Sequence, residues 1–314
     1  MATPVRLADA PSVTTPAAPT SSLGQRATTD RAKKLWKADS RGYKLAGRWH
    51  TARVLGTVAF ALAAPAITFW WPSSTDLVAA AASIWLLLAR AVLSPAEDWE
   101  RRRAVNAQEL FDTEVFELKW NSGLAGRRPA EENLAKAASK YRGDAPSDWY
   151  ADTEDLPRPF DVVLSQRSSA VWGRSTHLAY AIIVVTLGAA VFLTGLIIGG
   201  VAHLSLTDYL LRLFLPSVPA LLDTIDLSRA HWSTSKQKGQ IEIAADNLWT
   251  TGIHDPSTIT EADCRQLQDQ TYRLRFNGPR VASWLYHLRR ASDERAMRQA
   301  VADRVADYRA AQTP

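Results

Sequence analysis

The chain has 314 residues, long enough for two domains or for one domain with several membrane-crossing segments. It is 46% apolar with a net charge of +5, and the basic residues crowd beside apolar runs, a placement that fits membrane topology better than nucleic-acid binding. A single cysteine, Cys264, excludes an internal disulfide framework and a cysteine-rich zinc site.

Met1 to about Gln25 is rich in Pro, Ala, Thr and Ser and has no apolar centre, so residues 1–28 read as a disordered tail and not as a signal peptide. Residues 29–50 carry Arg31, Lys33, Lys34, Lys37, Arg41, Lys44 and Arg48 at helical spacing, interleaved with Trp36, Tyr43 and Trp49. That pattern predicts a basic juxtamembrane helix with amphipathic aromatics at headgroup level. Residues 51–94 read as a first transmembrane hairpin. Val54 to Trp71 holds no charge, Pro72 to Asp76 is a tight turn, and Leu77 to Leu93 returns with Arg90 placed to snorkel at its end.

Residues 95–175 form a charged helical region. Trp99, Val105, Leu110, Phe111, Val115 and Leu118 fall on one helical stripe, a shorter helix is expected around Ala130 to Lys140, and Asp144 to Pro159 is loop-like. Residues 176–225 read as a second hairpin. Its first arm, Ala179 to Val201, is uncharged and spans roughly 34 Å at ~1.5 Å per residue, enough for a bilayer core. Gly195 and Gly199 within it fit either a close helix contact or ordinary glycines near a span end. The remaining residues, 226–314, are polar and helical, with Thr260 and Asp263 spaced as a capping box and a break at Asn277-Gly278-Pro279.

The second arm of that hairpin, about Leu204 to Ile225, is the anomaly. It carries Asp208, Arg212, Pro216 and Pro219. Asp208 and Arg212 are four apart and share a helix face, so they are placed to pair. If both sit at the outer interface, only Leu213 to Leu222 remains as uncharged core, roughly 15 Å long and about half the hydrocarbon thickness. The two prolines leave the carbonyls of Arg212 and Leu215 without their helical donors, and those carbonyls need partners in protein or in a water-filled cavity. Asp208, Arg212, Pro216 and Pro219 are therefore pore or gating candidates, the alternative being a kinked packing helix in a closed bundle. The turns Pro72–Asp76 and Ala202–Asp208 contain no Lys or Arg, whereas the opposite flanks contain many. The positive-inside rule then places both termini and the middle region in the cytoplasm, with the spans in the inner membrane.

Three blocks have a recognisable order. They are Glu109 to Asn121, ELFDTEVFELKWN; Ser165 to Trp172, SQRSSAVW, just before a span; and Arg265 to Arg275, RQLQDQTYRLR, followed by Pro279 and Trp284-Leu285-Tyr286. With two membrane hairpins between and around them, this order resembles the four-transmembrane pore-forming effectors associated with SMODS nucleotidyltransferases, over roughly Lys33 to Arg298. The resemblance implies an antiphage role in which a cyclic nucleotide made by a partner nucleotidyltransferase is sensed and the membrane is permeabilised. It marks Phe111, Asp112, Trp120, Asn121, Gln166, Arg167 and Trp172 as motif residues. Asp112, Trp120 and Asn121 suit either an intersubunit contact or a capped helix end, and Arg167 stands where it can meet lipid phosphate. In the last block Arg265, Gln268, Asp269, Tyr272, Arg275, Trp284 and Tyr286 are ligand candidates, because arginines neutralise phosphates and aromatics stack on bases. The same block also fits a solvated face paired with Asp263, Asp269 and Asp293.

No HExxH, Walker lysine loop or G-x-S-x-G is present, and the six histidines are scattered. The expectation is thus an all-α polytopic membrane protein with two transmembrane helical hairpins and a cytosolic helical domain. It is expected to work as a homo-oligomeric effector in the lipid bilayer, with no catalysis, no metal, no cofactor beyond a cyclic oligonucleotide ligand, and no DNA or RNA. A non-conducting membrane-anchored sensor or scaffold and a transporter are the rival classes.

Overall fold

The computed structural model describes residues 22–146, 149–151, 153 and 156–313, the side chains of Pro65 and Phe69 apart. The tail expected over residues 1–28 lies outside the described residues up to residue 21. The part that follows is ordered: α1 (Leu23–Ala27) starts with a reciprocal Ser22–Gln25 capping box and buries Leu23.

Four long rods make the frame. α2 runs over Asp30–Trp70, capped by the Thr29 hydroxyl, and joins the basic segment and the first apolar run in one helix. No helix-breaking pair separates them, so the helix continues until Pro72 forces a 3₁₀ turn. The return rod is α3 (Thr75–Leu88), a π turn at Ala89–Leu93, and α4 (Ser94–Val115). After the short α5 (Ser122–Ala125) and α6 (Glu131–Ser139), α7 runs unbroken over Phe160–Val201. The last rod is α8 (Leu206–Tyr209), a π turn at Leu210–Phe214, and α9 (Leu215–Gly252). α10 (Glu261–Asn277) begins at the Thr260–Asp263 capping box, and α11 (Ser283–Gln312) follows the expected break. Among the described residues there is no strand.

The rods pair as two hairpins, α2 with α3–α4 and α7 with α9, and the hairpins meet along α2 and α9. Gly42 shows why the first pair approaches so closely: a side chain there would sit 2.8 Å from the Ala104 Cβ and 3.1 Å from its Cα. The Gly195–Gly199 pair behaves otherwise. Gly199 lies against Tyr209, and a Cβ on Gly195 would meet nothing within 4 Å, so the two do not make one close contact inside the chain.

The two halves of the bundle differ in what they bury. In the polar half, Leu35, Phe111, Phe160, Val162, Leu164, Ile241, Trp249 and Leu267 form one core, with α10 and α11 leaning on the rods. In the apolar half, Leu62, Leu87, Leu187, Ile197 and Leu211 point outward and are exposed. Such a belt is stable only in an apolar surrounding. Among the described residues, three helical stretches are long and apolar enough to cross a membrane, over Asp30–Thr68, Pro72–Val115 and Phe160–Val201.

The fourth apolar run is held differently. Asp208 and Arg212 pair at 2.8 Å. Just ahead of Pro216 the backbone opens into the π turn, and the Leu215 amide donates to Leu210 one residue further back than in an α-helix. The carbonyl of Arg212, which Pro216 cannot serve, accepts a hydrogen bond of 2.9 Å from the Thr68 hydroxyl on α2. A partner in protein thus meets the need the proline creates. Thr68 is fully buried. Replacing it with valine keeps the volume but removes the donor, at a cost of about 1–3 kcal/mol for the stranded carbonyl. Thr68→Val is expected to lower the melting temperature of the detergent-solubilised chain by several degrees, while Thr68→Ser stays close to wild type. Equal melting of both variants would show that the bond has no weight.

Candidate functional site

The three sequence blocks converge in the polar half. α4 carries Asp112, α7 carries Gln166 and Trp172, and α10 carries Gln268 and Arg275. Asp112 is buried at 1% exposure, so its carboxylate depends on partners. The Tyr150 hydroxyl donates to it at 2.9 Å, Gln268 Nε2 at 3.1 Å, and Arg275 closes a very short ion pair. Gln268 Nε2 also reaches Glu109 at 2.7 Å, and the other guanidinium nitrogen of Arg275 lies 3.3 Å from the Ser169 hydroxyl.

Beside this network lies a cavity of about 280 Å³ between α4, α7, α9, α10 and α11. Of the residues singled out from the sequence, Asp112, Gln166, Trp172, Gln268, Arg275 and Tyr286 line it. Trp172 and Tyr286 face each other with ring centres 5.9 Å apart. The others are elsewhere. Arg265 binds Glu109 at 2.7 Å and Asp269 at 2.7 Å, and Asp269 also accepts from Asn121 at 2.8 Å. Those three residues clamp α10 to the end of α4, and Asn121 caps α5 as well. The Tyr272 hydroxyl donates to Asn106 at 2.8 Å. Phe111 is core, and Trp120 donates to the Gly126 carbonyl in its own loop. Trp284 is half exposed outside the cavity. Arg167 is not turned to lipid; it pairs with Asp246 on α9 at 2.6 Å. Asp208, Arg212, Pro216 and Pro219 lie at the far end of the bundle and take no part in the cavity.

Sequence reasoning missed Lys238, Thr271, Trp149 and Tyr150, which also line the cavity. A lysine on a long polar helix reads as solvated, and nothing in the spacing of Lys238 says otherwise. The structure buries it to 7% exposure, with its chain laid across Gly173. A Cβ at position 173 would come within 2.6 Å of the ammonium nitrogen. Lys238 has no ion-pair or hydrogen-bond partner among the described residues. Burial first, and then the Arg275 charge, push its pKa down to about 7. Two further cavity residues have an unspent polar atom: Gln166 Oε1 and Thr271 Oγ1 make no hydrogen bond. Each such atom costs about 1–3 kcal/mol in an interior. The ion pairs around the cavity satisfy one another; these three groups have no such partner.

A bundle with an outward apolar belt at one end, and at the other a cavity lined by aromatic and apolar surface with a few charged side chains, has the build of a membrane protein. Residues 21–304 match the SMODS-associating 4TM effector domain, and the chain belongs to that family. It is also 27% identical over 223 residues to a probable CBASS effector molecule of Bacillus cereus (strain VD146), covering 69% of this chain and 74% of the relative. No solved structure matches it.

The Asp112–Arg275 pair gives a test of what holds the chamber together. Removing one partner of a buried pair strands the other charge, at about 3–5 kcal/mol, whereas replacing both with apolar residues is far milder. Arg275→Met is expected to lower the melting temperature by about 10 °C. The double variant Asp112→Leu with Arg275→Met is expected to melt above it. A double variant that melts lower still would show that the two residues act independently.

Proposed function

We propose that the chain is an oligomeric inner-membrane effector of antiphage defence that permeabilises the membrane when an infection-triggered cyclic nucleotide reaches its cytosolic half. It crosses the bilayer four times, with the polar half and both termini in the cytoplasm, where its flanking Lys and Arg residues belong. Family membership and the CBASS relative support the defence role. The observation that carries the conducting role is the fourth run. Its Asp208–Arg212 pair, its π turn and its two prolines make it a poor partner for lipid and a suitable lining for a polar opening.

The cavity and the fourth run share one rod. Lys238 sits on α9, and the same helix continues back to Pro216 and the π turn. α7 likewise runs from Gln166 through the chamber wall into its apolar stretch. A ligand that changes the packing of α7 against α9 in the polar half acts on both rods where they cross the membrane. The belt of exposed apolar side chains supplies the surface on which copies associate within the bilayer.

Liposomes containing the purified chain are expected to release an entrapped dye when a cyclic oligonucleotide from the matching nucleotidyltransferase is added. Arg212→Leu and Pro216→Ala are each expected to slow release about tenfold without loss of expression. Ligand binding without any leakage would instead indicate a non-conducting sensor, and full leakage from both variants would remove the fourth run from the pore.

A further inference from the structure

The three unspent groups in the chamber differ in kind. Lys238 offers a cation with three donors, Gln166 Oε1 is a bare acceptor, and Thr271 has a free hydroxyl. All three residues are more than nine-tenths buried. Beside them the Trp172–Tyr286 pair supplies aromatic surface. A molecule that satisfies this set carries an anion, an N–H donor and a flat ring in close succession. A single nucleotide unit has all three.

We propose that the chamber binds one nucleotide unit of a cyclic oligonucleotide, with a phosphodiester oxygen on Lys238, the base against Trp172 and Tyr286, and a base N–H donated to Gln166 Oε1. This rests on the functional reading above and adds the site. Lys238, and not the arginine-rich block, is the phosphate anchor. Arg275 is already committed to Asp112, and Arg265 to Glu109 and Asp269. A volume of about 280 Å³ is at the small end of ligand pockets, so one unit enters and the rest of the ring stays outside. The neighbours of Lys238 leave its charge uncompensated. The charged and titratable groups that line the cavity with it are Asp112 on α4, Tyr150, Arg275 on α10, and Tyr286, Arg290, Glu294 and Arg298 on α11; His177 on α7 feels its charge, and Glu294 is paired with Arg290 at 2.6 Å. Asp112 is spent on Arg275.

A phosphate on Lys238 favours the ammonium form. With a free pKa near 7, binding takes up a proton above that pH, so affinity falls as pH rises from 6.5 to 8.5. The test is calorimetry on the full chain in detergent, with cyclic di- and trinucleotides carrying each of the four bases, and with inorganic phosphate. Lys238→Met is expected to weaken binding of the preferred cyclic nucleotide at least tenfold and to abolish the pH dependence. It should leave the melting temperature of the free protein unchanged or higher. Gln166→Met is expected to weaken binding several-fold while keeping the pH dependence, and Trp284→Ala, outside the chamber, to change nothing. If the wild type binds a cyclic nucleotide and Lys238→Met binds it within twofold, the site is wrong and the effector reading stands. Inorganic phosphate binding as tightly as any nucleotide overturns the proposal in favour of a plain anion site. If no cyclic nucleotide binds the wild type, this site proposal fails, and sensing by this chain fails with it.

Discussion

The carboxylate of Asp112 has almost no access to water, and its need for partners organises the polar half of the bundle. Arg275 and Gln268 bring α10 to α4, and Tyr150 brings in the segment before α7. Glu109, one turn earlier on α4, extends the arrangement to Arg265. Ionic groups at this depth lose more when one is removed than they gain by being there. Their physical effect is to fix one alignment of α4 and α10, and the chamber beside them depends on that alignment.

The second organising feature is continuity. The long helices pass from the charged half to the apolar half with no loop between, so the two ends cannot move independently. Among the described residues the rods open into π geometry at Ala89–Leu93 and Leu210–Phe214, each followed two residues later by a proline. Around them the hairpins are cross-linked. Thr68 serves the Arg212 carbonyl, and Arg90 reaches Asp223 at 2.5 Å. Arg90 is thus an interhelical contact as well as a residue near a span end. Local π geometry often marks a functional position in a helix, and here it coincides with the charge and the prolines of the fourth run.

Much of the helical architecture was legible in the chain. The uncharged runs, the Thr260–Asp263 cap and the break at Gly278-Pro279 follow from local rules that hold whatever the tertiary setting. Sequence patterns were weaker on where the rods begin. The basic segment and the first apolar run differ in composition, yet the backbone does not register that difference, because both suit a helix. At the site, three of the arginine-block candidates line the chamber and four do not. Arg265 and Arg275 look alike in sequence, but Arg275 reaches the chamber and Arg265 ends in a clamp on Glu109.

The sequence by itself determined the helical class, the apolar runs, the charge asymmetry across them and the fault lines at Pro216 and Pro219. These depend on neighbours within a turn or two along the chain. Only the tertiary structure decided which polar groups are spent and which are left over. The Lys238 ammonium, Gln166 Oε1 and the Thr271 hydroxyl become distinctive because partners brought from distant segments serve the groups around them and leave these three atoms unserved. That is a property of the packed interior, where buried donors and acceptors find partners across distant segments, and no local pattern encodes it.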